Sequence, residues 1–357
     1  MEEIFKDLVV VELASVLAGP AVGMFFAELG AKVIKFENKT TNGDVTRTWK
    51  TKSEDKSKSY SSYYCAVNYN KHVVFSNLAK EEDSNFLLDQ IKEADIVIAN
   101  FKKSSAVKLG VDYSTLKKIK EDIIYGQLDG YPDGIEKVAF DVVMQAETGY
   151  LSMCGQVDGQ TAKMPVALID ILAAHQLKEG ILIALLKRMK TGQGSFISAS
   201  LYETAIASLA NQATNWLMNK TIPQKMGTLH PNIAPYGEVF RTNDNKEMVL
   251  AIGTEQQFVS LCNLLDIAYL CDDLRFMQNV NRVENRKELA QLLSKEIIKF
   301  SSDELMSKCE KYKIPIGLIQ NLKEVFKDPK ANKMILDDLD DSGNTRKRVS
   351  TISFLIR

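Results

Sequence analysis

Residues 9–37, VVVELASVLAGPAVGMFFAELGAKVIKFE, decide the fold of this chain. A β-rich run at residues 8–13 leads through a small-residue turn into a segment with helical apolar spacing, residues 22–29. Gly30 ends that segment, and a second strand is predicted at 32–36. A strand–helix–strand unit of this length is typical of a parallel βαβ crossover. Because the first turn lacks the Gly-x-Gly-x-x-Gly pattern, we expect a nucleotide-fold-like sheet without an NAD or ATP site.

The same alternation continues to residue 190 and predicts a doubly wound parallel α/β sheet. Further strands are expected at 73–75, 95–101 and 122–128, and helices at 80–93, 113–120, 140–153 and 171–190. Residues 38–62 are polar and predict a long surface loop, and 164–169 predict a strand or turn.

After Pro223 the pattern changes to short strands, hairpin signals and helices rich in Leu and Lys. This change predicts a smaller α+β domain beside the Rossmann-like one. The predicted boundaries are a large domain at 1–190 completed by 320–357, a linker at 191–224, a small domain at 225–305 and a return linker at 306–319.

Composition limits the function classes. A chain of 357 residues is long enough for two cores. Its net charge of −1 gives no reason to expect nucleic acid or an anionic membrane as a partner, and no apolar run has membrane-spanning length. Five scattered cysteines without a CxxC motif indicate free thiols in the cytoplasm. Three histidines without ligand spacing make a metal site improbable.

Eight short motifs together resemble one enzyme family. They are VLAGP at 16–20, LGAKVIKFE at 29–37, NK at 70–71, ADIVIANF at 94–101, LGVDY at 109–113, FDVVMQA at 140–146, KTGQG at 190–194 and HPNIAPY at 230–236. Their order and spacing resemble the class III CoA-transferases, the CaiB/BaiF or formyl-CoA transferase family. The resemblance runs from residue 9 to about residue 328.

The resemblance implies a catalytic aspartate at the head of the long helix, and Asp170 occupies that position. A carboxylate nucleophile attacks an acyl-CoA thioester to give a mixed anhydride, so the acyl group moves without loss to water. A position at a helix N-terminus is expected to keep Asp170 ionised and to bring backbone N–H groups near a developing oxyanion. The alternative is that Asp170 merely caps its helix, which aspartate often does.

The resemblance also assigns residues that bind coenzyme A. The matching positions are Val16, Ala18, Asn38, Asn100, Phe101, Lys108 and Lys137. Cationic side chains are needed there because coenzyme A carries several phosphate charges. A solvated surface charge is the alternative for each of the two lysines.

Three positions bear on the substrate. Formyl-CoA transferases have glutamine where this chain has Leu17 and a basic residue where it has Asn38, and we find no counterpart of their glycine-rich flap. Leu17 therefore favours a more apolar acyl group over formyl or oxalyl. Asp141 matches an acidic substrate-binding position of the family, with a solvent-facing helix charge as the alternative.

The resemblance implies a ring-shaped subunit in an interlocked homodimer that takes acyl-CoA and a carboxylic acid as substrates. Coenzyme A is substrate and product, and no other cofactor is expected. Two alternatives remain. An acyl-CoA racemase of the same superfamily needs a base in a Gly-His-Asp motif, where this chain has Ala139, Phe140 and Asp141. The other alternative is a catalytically silent homologue that binds coenzyme A.

Overall fold

The structure is a computed structural model that describes residues 4–132, 135–340 and 343–356. The chain divides into two compact units. The first consists of Met1–Tyr150, Lys163–Ile222 and Lys333–Arg357, and the second of Leu151–Ala162 and Pro223–Asn332.

The first unit is built on a six-stranded sheet in which every pairing is parallel. Its strands are β1 (Val9–Leu13), β2 (Lys32–Asn38), β3 (Lys71–Ser76), β4 (Ile96–Ala99), β5 (Ile124–Asp129) and β6 (Ser195–Ser200), in the order β3-β2-β1-β4-β5-β6. The predicted parallel α/β sheet is confirmed. The strand order reverses between β1 and β4, and at such a switch point a crevice opens at the carboxyl ends of the strands.

Helices cover both faces of this sheet. The helices of this part of the chain are α1 (Ala18–Glu28), α2 (Ser62–Cys65), α3 (Glu81–Glu93), α4 (Lys103–Leu109), α5 (Tyr113–Ile119), α6 (Asp141–Glu147), α8 (Leu168–Thr191), α9 (Leu201–Ala207) and α10 (Ala210–Asn219). The short helix α7 (Tyr150–Met153) lies at the point in the chain where the first unit ends and the second begins. Successive strand residues point to opposite faces, so Val10 packs in one core with α1 and α8, while Val11 packs in another with α3 and α5.

Four predictions for this part of the chain differ from the structure. Residues 191–222, predicted as most of a linker, belong to the first unit, because β6 pairs with β5 and because Leu201 and Ala205 are buried in its core. The first helix begins at Ala18 rather than residue 22, because Pro20 falls in the first turn, where its missing N–H costs nothing. Residues 164–169 contain no strand, and α8 already begins at Leu168. The predicted surface loop at 38–62 forms two 3₁₀ turns, Lys39–Thr41 and Val45–Thr48, and buries Asp44 and Thr46.

The second unit contains a three-stranded antiparallel sheet. Its elements are β7 (Tyr236–Arg241), β8 (Glu247–Ala251), α11 (Glu255–Leu264), a 3₁₀ turn (Ala268–Cys271), α12 (Asn279–Glu284), α13 (Arg286–Ile297), α14 (Ser302–Lys311), β9 (Ile316–Leu318), α15 (Leu322–Val325) and α16 (Pro329–Asn332).

This unit extends beyond the predicted 225–305. Residues 306–319, predicted as a return linker, belong to it, because β9 pairs with β8 and because Cys309 and Ile314 are buried in its core. The chain re-enters the first unit at Lys333, not at 320, and ends there in a hairpin of β10 (Ile335–Leu339) and β11 (Thr345–Val349). Among the described helices, none combines the length and apolar character needed to span a bilayer.

Candidate active site

Two cavities open at the carboxyl ends of the parallel strands in the first unit. The first cavity, of about 480 Å³, is lined by the β1–α1 loop, the start of α4, the segment after β5, and Asp170. The second cavity, of about 590 Å³, lies over the ends of β1, β2 and β3. Ser15 and Phe101 line both cavities, so the β1–α1 loop and the end of β4 are common walls of the two.

Asp170 is placed on the wall of the first cavity by the first turn of α8. The N-cap of α8 is Ala167, so Asp170 does not cap its helix. The backbone N–H of Ile169 is instead bound at 2.7 Å by Oδ1 of Asp141. Asp170 therefore lines the cavity and does not act as the helix cap of the alternative interpretation.

The protonation of Asp170 differs from the prediction. Burial, with a smaller contribution from the Asp141 carboxylate, raises the pKa of Asp170 to about 7. The helix N-terminus was expected to keep this group ionised. Desolvation of the charged form is the larger effect here, because Asp170 is only 8% exposed. The backbone N–H of Ile169 is also taken by Asp141 and is not available as an oxyanion donor.

Asp141 is a buried residue beneath the site, not a solvent-facing helix charge. Besides Ile169 N–H, its carboxylate accepts a hydrogen bond from Nε2 of Gln145 at 2.5 Å, and Oε1 of Gln145 accepts from the backbone N–H of Met164 at 3.0 Å. These bonds tie α6 to the start of α8 and to the chain that precedes it. Asp141 does not line either cavity.

The structure brings most of the predicted site residues together. Those that line the first cavity are Val16, Leu17, Ala18, Asn100, Phe101, Lys137 and Asp170. Asn38 lines the second cavity, although its side chain also accepts a hydrogen bond from Thr40 N–H at 2.9 Å. Lys108 is exposed on α4 and lines neither. The side chain of Lys137 pairs with Glu147 and lies 5.0 Å from the centre of the Tyr131 ring.

Sequence reasoning missed a buried network of charges under the β1–α1 loop. Lys35 Nζ lies 2.9 Å from Glu12 and 3.3 Å from Asp44, and Lys71 Nζ lies 2.7 Å from Glu12. A signal for it was present, since Glu12 is a charged residue in the apolar run of β1 and pairs in register with the oppositely charged Lys35 of β2. A buried charge is tolerated only when it is paired.

The sequence pattern that defines CoA-transferase family III matches residues 5–354. The chain belongs to this family.

Characterised relatives agree with this membership. The chain is 36% identical to succinate–glutarate CoA-transferase of Agrobacterium fabrum over 90% of this chain and 81% of that protein. It is 31% identical to human succinyl-CoA:glutarate CoA-transferase over 90% of this chain and 72% of that protein. The crystal structure of a CaiB/BaiF family protein from Brucella suis superimposes with a TM-score of 0.81 at 35% identity and covers 97% of this chain and 91% of that one. The family III protein described here is thus a CoA-transferase by relationship.

Proposed function

We propose that this family III CoA-transferase moves coenzyme A between an acyl thioester and a free carboxylic acid through an anhydride on Asp170. The observation that carries the proposal is the Asp170 carboxyl itself, which is buried on a cavity wall, has a pKa of about 7 and caps no helix. At neutral pH such a group exists in part as a carboxylate that is poorly solvated, and a poorly solvated carboxylate is a stronger nucleophile than one in water.

The proposed reaction balances without a further reactant. An oxygen of Asp170 attacks the thioester carbonyl, the C–S bond breaks, and coenzyme A leaves as a thiolate. The thiolate attacks the aspartyl carbonyl of the anhydride, which releases the donor acid and leaves an aspartyl thioester. The carboxylate of the acceptor acid attacks that thioester, and the returning thiolate then takes the acceptor's acyl group and restores Asp170.

The two cavities suit an elongated ligand such as coenzyme A. They share Ser15 and Phe101 as walls, and only the first contains Asp170. We therefore place the thioester in the first cavity, beside Asp170, and let the rest of the ligand extend across the shared wall toward the second. Val16, Ala18, Asn38, Asn100 and Phe101 are positioned for such a ligand. Lys102 and Lys103 line the first cavity and are better placed to meet anionic groups than Lys108.

The relatives suggest a class of acyl group. The names of the Agrobacterium and human proteins refer to succinate and glutarate, which are short dicarboxylic acids. We propose a donor and an acceptor of this class, with the methylenes against Leu17 and the far carboxylate near the lysines of the first cavity. Leu17 packs partly against the core, and the rest of its side chain faces the cavity.

Leu17 is expected to disfavour formyl-CoA. A leucine leaves the oxygens of a compact polar acyl group unpaired, which costs roughly 1–3 kcal/mol, whereas each buried methylene contributes about 0.8 kcal/mol. In Leu17→Gln the ratio of kcat/KM for succinyl-CoA to that for formyl-CoA should fall about tenfold or more. Leu17→Met, which conserves volume, should leave the ratio unchanged. Equal ratios in the wild type and Leu17→Gln would show that Leu17 has no selective role.

The function is tested by a screen of CoA thioesters against free acids, read by mass spectrometry. Transfer with an acid whose carboxylate carries heavy oxygen should also place that label in the peptide containing Asp170, because the anhydride exchanges carboxylate oxygens. Loss of α-deuterium without transfer would indicate a racemase. Binding of coenzyme A without either reaction would indicate a silent homologue. The racemase is disfavoured because Phe140, which cannot act as a base, lines the cavity at the position where racemases of the superfamily have the histidine of their Gly-His-Asp motif.

We also propose an interlocked homodimer of ring-shaped subunits. Support comes from large apolar side chains left exposed on the first unit, namely Ile183, Leu186 and Met189 on α8 and Leu217 and Met218 on α10. Sedimentation equilibrium should give the mass of two chains at every concentration, and Leu186→Asp with Met189→Asp should weaken the association. The mass of a single chain in dilute solution would contradict the proposal.

A further inference from the structure

The β1–α1 loop is held by side chains from three other parts of the first unit. Lys35 of β2 donates from Nζ to the backbone carbonyl of Ala14 at 2.8 Å. Asn100, just after β4, binds both sides of Ser15, accepting from its N–H at 3.2 Å and donating to its carbonyl at 3.0 Å. Oδ2 of Asp44 accepts from the N–H of Val16 at 3.1 Å. Three successive loop residues are therefore fixed from outside the loop.

Val16 has a backbone conformation that requires such support. Its φ angle is +73°, in the left-handed region where a β-branched residue is a clear outlier. A strained conformation of this kind persists only when its surroundings hold it. The conformation matters for the site, since Val16, Leu17 and Ala18 line the first cavity and Ser15 lines both.

Asp44 is itself held in place by hydrogen bonds and an ion pair. Its Oδ1 accepts from the N–H of Thr46 at 3.0 Å and from the Thr46 hydroxyl at 2.8 Å, while its Oδ2 lies 3.3 Å from Lys35 Nζ. Both charged side chains are buried, and Lys35 also pairs with Glu12 at 2.9 Å. Lys35 thus contacts both the Asp44 carboxylate, which binds Val16 N–H, and the carbonyl of Ala14. The contacts to Ala14 and Val16 therefore stabilise each other.

We propose that Asp44 is a positioning residue for coenzyme A, which holds Val16 in its left-handed conformation so that the β1–α1 loop presents the walls of both cavities to the ligand. This inference rests on the proposed function for the identity of the ligand. Without the Asp44 carboxylate, Val16 relaxes to a negative φ angle. The loop then changes conformation, and Leu17 and Ala18 move away from the cavity wall.

The test uses the full-length protein and coenzyme A alone as the probe. Asp44→Ala should weaken coenzyme A binding in titration calorimetry at least tenfold and speed amide hydrogen exchange in a peptide covering residues 13–19. Asp44→Asn keeps an acceptor for Val16 N–H but loses the charge that pairs with Lys35, so its affinity should fall between those of Asp44→Ala and the wild type. Asp112→Ala is the matched control, since Asp112 binds Thr115 as Asp44 binds Thr46 but lines neither cavity. It should change neither measurement.

A second variant separates positioning from a general loss of folding. Glycine adopts positive φ without the penalty that valine meets. The double variant Asp44→Ala/Val16→Gly should therefore bind coenzyme A at least threefold more tightly than Asp44→Ala does. If Asp44 has only a general structural role, the two variants should bind with the same affinity. If Asp44→Ala does not fold, the comparison of Asp44→Asn with Asp44→Asn/Val16→Gly serves instead.

The outcomes distinguish this inference from the proposed function. Affinity of Asp44→Ala within threefold of wild type, or exchange at residues 13–19 unchanged, would overturn the positioning role. Wild-type protein that binds coenzyme A but transfers it to no acid would overturn the proposed function and leave the positioning role to be decided by the binding data. Wild-type protein that does not bind coenzyme A would overturn both.

Discussion

Replacement of Asp170 by alanine should lower the rate of CoA transfer by several orders of magnitude, while the protein still folds and binds coenzyme A. The reason is that covalent catalysis needs this carboxylate, and among the described residues of the cavity wall Asp170 alone comes from α8. The measurement is kcat for a succinyl-CoA donor with a dicarboxylic acceptor, beside coenzyme A affinity by calorimetry. Both substrates keep their binding surfaces, so kcat should fall much more than affinity.

Asp170→Asn is the matched variant for this experiment, because it keeps the size of the side chain and removes only the nucleophile. It should be as inactive as Asp170→Ala. Residual activity within about tenfold of wild type, equivalent to ~1.4 kcal/mol in the barrier, would refute covalent catalysis by Asp170. Recovery of activity in Asp170→Asn alone during long incubation would point to deamidation back to aspartate, and the peptide mass would reveal it.

Asp170→Asn should also make the protein more stable at pH 8. The folded protein raises the pKa of this carboxyl from 3.8 to about 7, so between these values the folded state binds a proton that the unfolded state has lost. Stability therefore falls as the pH rises from about 4 to about 7, and the full cost, up to about 4 kcal/mol, is present above pH 7. Asparagine carries no charge and avoids that cost.

The measurement is the urea midpoint of wild type and variant from pH 4 to pH 8. The advantage of Asp170→Asn should be small at pH 4, grow with pH and level off above pH 7. Asp112→Asn is the control with the opposite sign, because hydrogen bonds from Thr115 hold the pKa of Asp112 below its usual value despite partial burial. Removing that carboxylate should lower stability slightly at pH 8 and not at low pH. A stability difference for Asp170→Asn that does not depend on pH would contradict the raised pKa.

Local patterns accounted for the architecture of the first unit. Apolar runs in β1, β2, β4 and β5, separated by helical spacing, predicted the parallel sheet because these strands are buried on both faces. The predicted boundaries differ from the structure where local sequence leaves a choice. Pro20 is tolerated in the first turn of a helix, so it does not mark a helix start after it. The return linker at 306–319 was implied by the family resemblance, and the three-residue strand β9 is too short to give a pattern that opposes it.

Part of the candidate site could be predicted from the sequence and part could not. The resemblance to the family implied the roles of Asp170, Leu17, Asn100 and Phe101, and all four line the first cavity. The role of Asp141 did not follow, because its partner Ile169 N–H lies 28 residues away and only the packing of α6 on α8 makes the contact.

The sequence by itself determined which side chains are available for the chemistry and which strand or helix each of them belongs to. Only the tertiary structure decided their state. The pKa of Asp170 rises because residues from distant segments exclude water from its carboxyl group. The position of Asp170 in the first turn of a helix, which the sequence does show, gives no indication of this burial. The strained φ of Val16 and the burial of Asp44 and Lys35 depend likewise on contacts between β1, β2 and the turn after it. Desolvation and strain are properties of packing, and packing is set by the whole fold.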